Sequence, residues 1–203
     1  MLLRQLKVRA DNFCYVLGDE KSREGAVIDP SADWERIAAT ANELEVKVRY
    51  IINTHGHPDH TGCNAILSKE TGAKVALYHT SKVKHDIGLE DGDFLRLGEL
   101  ELKIIYTPGH TMDGICILAG GKALFAGDTL FVGECGRTDI PGASAEALRR
   151  SLFEKLMKLP DDVKVFPGHD YGPRPSSTIG EERRTNYTLK PRTKEEFVEF
   201  MAE

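Results

Sequence analysis

The hydrophobic pattern begins as alternation. From Leu2 to Val8 leucine and valine exchange with polar residues, and two short apolar runs, FCYVLGD and GAVIDP, follow with turn residues between them. Successive side chains on a strand point to opposite faces, so these runs predict three strands of an antiparallel start, joined by a polar turn around Asp19 to Glu24. Pro30 ends the third. Asp33 is placed to cap a helix running to about Leu44, with Ile37, Ala41 and Leu44 on one face and Trp34 packed at its start. VKVRYIINT is β-branched with an apolar centre, the pattern of a buried strand. Asn64 to Thr71 predicts a helix and AKVALY another strand. Lys82 to Gly92 is polar, with a turn at EDGD, and predicts a loop or short helix.

The second half repeats this outline. FLRLG, LELKIIYTPGH, GICILAG and KALFAGDTL read as strands separated by glycine-rich turns. Ser144 is placed to cap a helix carrying Leu148, Leu152, Leu156 and Leu159 in a core-facing stripe. VKVFPGHD is a last strand and loop. Ser176, Ser177 and Thr178 lead to a further helix cap, and Thr193 with Glu196 forms a capping box for a helix ending EEFVEFM. Two β-rich halves, each closed by helices, predict an α/β (α+β) fold of αββα type, two mixed β-sheets face to face and flanked by helices. No linker-like stretch interrupts 1–203, which is expected to be a single domain with about 175–203 as its C-terminal helical tail.

Composition narrows the function classes. With 40% hydrophobic and 29% charged residues the chain has an ordinary globular balance. A net charge of -5 provides no basic footprint for nucleic acid, and the cluster of Arg183, Arg184, Lys190 and Arg192 reads as solvated surface. Cys14, Cys63, Cys116 and Cys135 include no CxxC pair and read as reduced thiols, Cys135 in a packing role. MLLRQLKVRADN lacks the apolar core of a secretory signal, and no apolar run approaches membrane-spanning length. The expectation is a cytoplasmic protein with no membrane or nucleic-acid partner; self-association stays open.

The chemistry concentrates in Thr54 to Gly62, THGHPDHTG, where His55, His57, Asp59 and His60 fall within six positions. Imidazole and carboxylate suit zinc, iron and manganese, and crowding four such groups is costly unless a cation offsets it. Three later stretches, TPGHT with His110, AGDTL with Asp128 and PGHDY with His169, each run a strand into a small-residue turn bearing one ligand-type side chain. Five of the seven histidines lie in such settings. His79 and His85 lie outside them and read as surface or satisfied histidines.

These motifs resemble those of the metallo-β-lactamase fold superfamily, whose signature is an HxHxDH loop followed by a His, an Asp and a His. The resemblance spans nearly the whole chain. It implies one metal site of His55, His57 and His110, a second of Asp59, His60 and His169, and Asp128 bridging both. Two divalent ions, zinc or a mixture of zinc, iron and manganese, would lower the pKa of a shared water towards neutrality, and Asp59 would orient the resulting hydroxide.

Within the superfamily, the Asp at 128 argues against classical zinc β-lactamases, and the absence of an RNA-gripping insertion argues against RNA-processing members. DNFCYVLGD and LFVGECGRTD resemble the glyoxalase II group, and a thiolate leaves readily enough that a thioesterase hardly needs a separate general acid. The expectation is therefore a glyoxalase II-like thioesterase acting on a small-molecule thioester. The chain is too short for the helical C-terminal domain of larger glyoxalase II enzymes. LGDEKSREGAVIDP, CGRTD, GHDY and STIGEERRTNYTL also resemble persulfide dioxygenases, which implies the alternative of one Fe(II) held by His55, His110 and Asp128, a facial triad with open positions. Other metallo-hydrolase chemistry, or a non-catalytic metal-bound scaffold, ranks below both. Arg137 and Tyr171 are the substrate-contact candidates: Arg137 either grips a carboxylate or pairs with Asp139, and Tyr171 either donates to substrate or packs.

Overall fold

The computed structural model of the chain describes residues 1–202. Two six-stranded sheets pack face to face. The first holds β1 (Leu2–Arg9), β2 (Asn12–Gly18), β3 (Glu24–Ile28), β4 (Lys47–Ile52), β5 (Lys74–Tyr78) and β6 (Ile87–Leu89) in that spatial order. Its first three strands are antiparallel and the rest parallel. The second holds β7 (Phe94–Leu97), β8 (Leu100–Tyr106), β9 (Ile115–Ala119), β10 (Ala123–Gly127), β11 (Lys164–Pro167) and β12 (Ser177–Thr178), adjacent in sequence order and antiparallel except for the β10–β11 pair. Both sheets are mixed, and helices cover their outer faces, as expected for an αββα sandwich.

Alternation explains the layers. Tyr15, Leu17, Ile28 and Ile52 point inward to meet Leu97, Ile104, Ile117 and Phe125 of the other sheet. The intervening Val16, Val27 and Ile51 point outward beneath α1 (Trp34–Glu43) and α3 (Asn64–Thr71), contacting Ile37, Ala41 and Leu67, while α2 (Pro58–Thr61) precedes α3. On the far side Cys116, Leu124 and Val165 meet Leu148 of α4 (Ala145–Arg150), Ile179 of α5 (Ile179–Thr185) and Phe197 of α6 (Lys194–Phe200). β2 is covered on both faces and is buried throughout.

Local signals behaved unevenly. Ser144 Oγ accepts from Ala147 N, and the Thr193–Glu196 capping box is fully formed. Asp33 occupies its cap position but is left-handed (φ 56°), and its carboxylate makes no cap hydrogen bond. The polar stretch after Lys82 contains β6, a short strand parallel to β5 that periodicity could not reveal because only three residues pair. Beyond α4 the chain passes through a π-helical turn, Ser151–Lys155, and a 3₁₀ turn, Leu156–Lys158, keeping Leu152 and Leu156 buried. The C-terminal tail is not wholly helical, since β12 pairs with β11 before Thr178 caps α5. Among the described residues no helix is long and apolar enough to cross a membrane.

Tyr15 ties this core to the strand ends. Its ring stands edge-on to Phe125 and Phe166 between the sheets, and its buried hydroxyl donates to the carbonyl of Pro167. Tyr15→Phe should therefore leave that carbonyl short of a donor and lower stability by about 1–3 kcal/mol, measured by urea unfolding with an unchanged m value.

Candidate metal centre

All seven ligand-type side chains lie where strands end on one rim of the sandwich. His55 follows β4, His57 precedes α2, Asp59 and His60 sit within α2, and His110, Asp128 and His169 follow β8, β10 and β11. Three groups converge with their ligand atoms within 4.8 Å of one another: His55, His57 and His110; His55, His60 and Asp128; Asp59, His60 and His169. His57 Nδ1 lies 2.9 Å from His55 Nε2 and 3.2 Å from His110 Nε2. His60 Nε2 and His169 Nε2 are 3.2 Å apart, and Asp59 Oδ2 is 3.7 and 3.6 Å from them. Asp128 stands between the groups, Oδ1 being 3.4 Å from His60 and Oδ2 3.5 and 3.3 Å from His110 and His169.

The backs of these rings are held by side chains that sequence reasoning did not single out. Asp29 is almost fully buried and accepts from both Thr54 N and Thr54 Oγ1, while its Oδ2 lies 3.1 Å from His60 Nδ1. Thr54 Oγ1 in turn meets His55 Nδ1 at 3.1 Å. His110 Nδ1 is 2.9 Å from the Arg137 carbonyl, and His169 Nδ1 is 3.2 Å from Asp11 Oδ1. Asn12 Nδ2 donates to the Asp59 carbonyl and carboxylate. Such partners fix which ring nitrogen faces an ion. The available signal was a carboxylate ending the buried run of β3, where burial demands partners.

Burial opposes charge throughout the site, and neighbours decide the outcome. It holds His55 well below the ordinary imidazole value and lowers His57 as well. At His60 burial is outweighed by Asp128 and Asp29, which lift it to about 9. Burial also disfavours ionised Asp128 and Asp59, yet His60 and further hydrogen bonds carry both below the usual carboxylate range. The donor set fits a cation in a second way: Asp128 Oδ1 is buried with no hydrogen-bond partner, the condition an ion would relieve. Gly168 is needed there, because a Cβ would come within 2.3 Å of that oxygen and 2.9 Å of His60 Cε1.

The substrate-contact candidates flank this centre. Arg137 forms a bidentate pair with Asp139, both contacts at 2.6 Å, so its guanidinium is engaged within its own loop. Tyr171 is 52% exposed and stacks on His169, with ring centroids 4.8 Å apart. Burial, then Asp11, Asp128 and Asp59, raises its hydroxyl above the ordinary value, which keeps it a donor. His79 and His85 join none of the convergent groups.

A family model described as Metallo-beta-lactamase superfamily matches residues 10–85 and 77–169. The chain is 38% identical to human persulfide dioxygenase ETHE1, mitochondrial, covering 99% of this chain and 80% of that protein. It is 40% identical to a hydroxyacylglutathione hydrolase from Polaromonas sp., covering 79% of this chain and 62% of that protein. Among solved structures, ETHE1 from Myxococcus xanthus superimposes with a TM-score of 0.95 at 35% identity, covering 100% of this chain and 91% of that chain.

The expectation of a glyoxalase II-like thioesterase is overturned by these matches. The persulfide dioxygenases align over 99% of this chain, the hydrolase over 79% of it. The error has a physical origin: the metal ligands of the alternative are a subset of the dinuclear set, so ligand identity carried no discrimination.

Because an adjacent cation favours neutral imidazole, ion loading at pH 7 should displace the proton that His60 holds below about 9. Apparent ion affinity should then rise with pH up to that value; calorimetry in buffers of differing ionisation enthalpy would reveal the released proton, and a pH-independent affinity would contradict it. Gly168→Ala should weaken ion binding by ~10–100-fold while far-ultraviolet circular dichroism stays unchanged.

Proposed function

The chain belongs to the metallo-β-lactamase superfamily, and from that premise we propose that this enzyme is a persulfide dioxygenase working with a single non-haem Fe(II). The observation that carries the reading is the match to human persulfide dioxygenase at 38% identity over 99% of the chain. The reaction takes a persulfide RSSH, dioxygen and water to the thiol RSH and sulfurous acid, so the outer sulfur is oxidised and oxygen is reduced.

His55, His110 and Asp128 would hold the iron. His110 Nε2 lies 3.5 Å from Asp128 Oδ2, and His55 shares one convergent group with each of them. Bound there, Fe(II) would supply the one-electron chemistry that lets dioxygen react with a closed-shell sulfur. The chain's own groups supply the rest. With Asp128 as its one carboxylate, a centre holding Fe(II) would keep net positive charge and would favour a persulfide anion. Thr54 and the Arg137 carbonyl orient the two imidazoles from behind. Tyr171, stacked on His169 and 52% exposed, would supply a hydroxyl donor to a bound persulfide.

Protein purified without added metal should contain one iron per chain and consume oxygen with glutathione persulfide. S-Lactoylglutathione hydrolysis, followed in parallel, should stay near background. Asp128→Ala should lose both iron and oxygen uptake, because two imidazoles alone hold Fe(II) poorly. Two zinc ions per chain with no oxygen uptake would sink the reading.

A further inference from the structure

The STIGEERRTNYTL stretch supplies no ligand to the centre, yet two of its polar side chains are almost completely buried, Glu182 at 1% exposed and Asn186 at 2%. A buried carboxylate is costly unless donors surround it. Glu182 finds them in neutral amides: its Oε2 accepts from Gly133 N at 2.9 Å and from Asn186 Nδ2 at 2.8 Å. The second proton of the same Asn186 amide goes to the Glu134 carbonyl at 3.0 Å, while Asn186 Oδ1 accepts from Thr188 N and Oγ1. Asn186 is therefore fully engaged, and it joins the end of α5 to a turn far back in the chain.

That turn runs directly out of Asp128. It is closed by a bridge between Leu130 and Cys135 and by Phe131 N donating to the Glu134 carbonyl, and it is left-handed at Gly133 (φ 85°). Residues on either side of Gly133 and Glu134 then meet the ligand side chains. The Phe131 ring stands edge-on to His169 and to Tyr171. Gly136 lies so close that a Cβ there would run into the Asp128 carbonyl and stand 3.0 Å from His110 Cβ. The next residue, Arg137, turns its carbonyl to His110 Nδ1. Glu182 and Asn186 thus grip the segment between its contact with His169 and its contacts with Asp128 and His110.

We propose that Glu182 and Asn186 are positioning residues for the metal centre: by fixing the turn at Gly133 and Glu134 they set His110 through the Arg137 carbonyl and seat Phe131 against His169. The inference rests on the dioxygenase reading only for the activity that is measured; the hydrogen bonds and the ligand set do not depend on it. Both bonds to the carboxylate end on one oxygen. Glu182→Gln, whose single carbonyl oxygen can accept both, keeps the grip, whereas Glu182→Ala removes it.

Co(II) in place of iron reads the ligand geometry through its visible ligand-field bands, and the same titration gives its affinity. Glu182→Ala should bind Co(II) about tenfold more weakly, the lower end of what losing a partner behind a metal-bound imidazole costs, and its bands should shift. Glu182→Gln should keep the wild-type bands and affinity. Ile37→Ala, in a hydrophobic cluster that contains none of the turn's residues, is a destabilised control whose bands and affinity should also stay those of the wild type. Wild-type bands and affinity in Glu182→Ala would overturn the proposal, as would an equal loss in Ile37→Ala or a Glu182→Gln that behaves like the alanine variant. If Glu182→Ala does not fold, the wild type decides. Coupling between turn and centre is reciprocal, so Co(II) loading should slow hydrogen exchange at the Gly133 amide by about tenfold or more, and unchanged exchange refutes the assignment. With iron bound, oxygen uptake on glutathione persulfide should fall in Glu182→Ala and recover in Glu182→Gln. A wild type that takes up no oxygen counts against the dioxygenase reading alone, and the Co(II) results still decide the role of Glu182.

Discussion

Seven side chains rich in lone pairs are held at separations of about 3 Å, five of them buried and His57 and Asp59 half-buried, and the architecture around them exists to make that tolerable. Left alone, the arrangement settles into internal ion pairs, with His60 charged between Asp29 and Asp128. An ion replaces that compromise with bonds to the same atoms. The strain is therefore chemical rather than conformational, and no single loop could support it. It needs rigid elements arriving from both sheets, and it needs Asp29 and Thr54 buried behind the rings to stop them turning away.

Much of the scaffold was legible in the residues. The alternation of Leu2 to Val8 and the β-branched run ending at Thr54 are strong local patterns that became strands, while the leucine stripe from Leu148 became a short α-helix continued by π-helical and 3₁₀ turns, with Leu159 outside them. The boundaries of α3 were legible too, set by a glycine that ends the helix in a left-handed turn at Gly72. What stayed hidden was decided by distant partners. β6 is too short to carry periodicity and exists because β5 offers it an edge. Asp33 looks like a cap in one dimension, yet its backbone is committed to a left-handed turn, so its side chain cannot reach the amides beyond.

The candidate site divides along the same line. The seven ligand-type residues sit in motifs short enough to read, whereas Asp11, Asn12 and Asp29 acquire their roles only when the chain folds them behind His169, Asp59 and His60. Function lay further away still. A facial triad nested inside a dinuclear set means that two chemistries share one group of side chains, and what favours one of them is the relationship of the whole chain to its relatives. Sites of this kind specify the ion's neighbourhood more firmly than its identity or its reaction.

The division of ligands between the two halves has a mechanical side. His55 leaves the first sheet and Asp128 the second, so an ion held by both closes a loop of roughly 70 residues and acts as a non-covalent cross-link, restricting the unfolded chain much as a disulfide would. Each half then owes part of its persistence to the other. Withdrawal of such an ion would remove that tie between the sheets, so metal supply would bear on the persistence of the fold as well as on turnover.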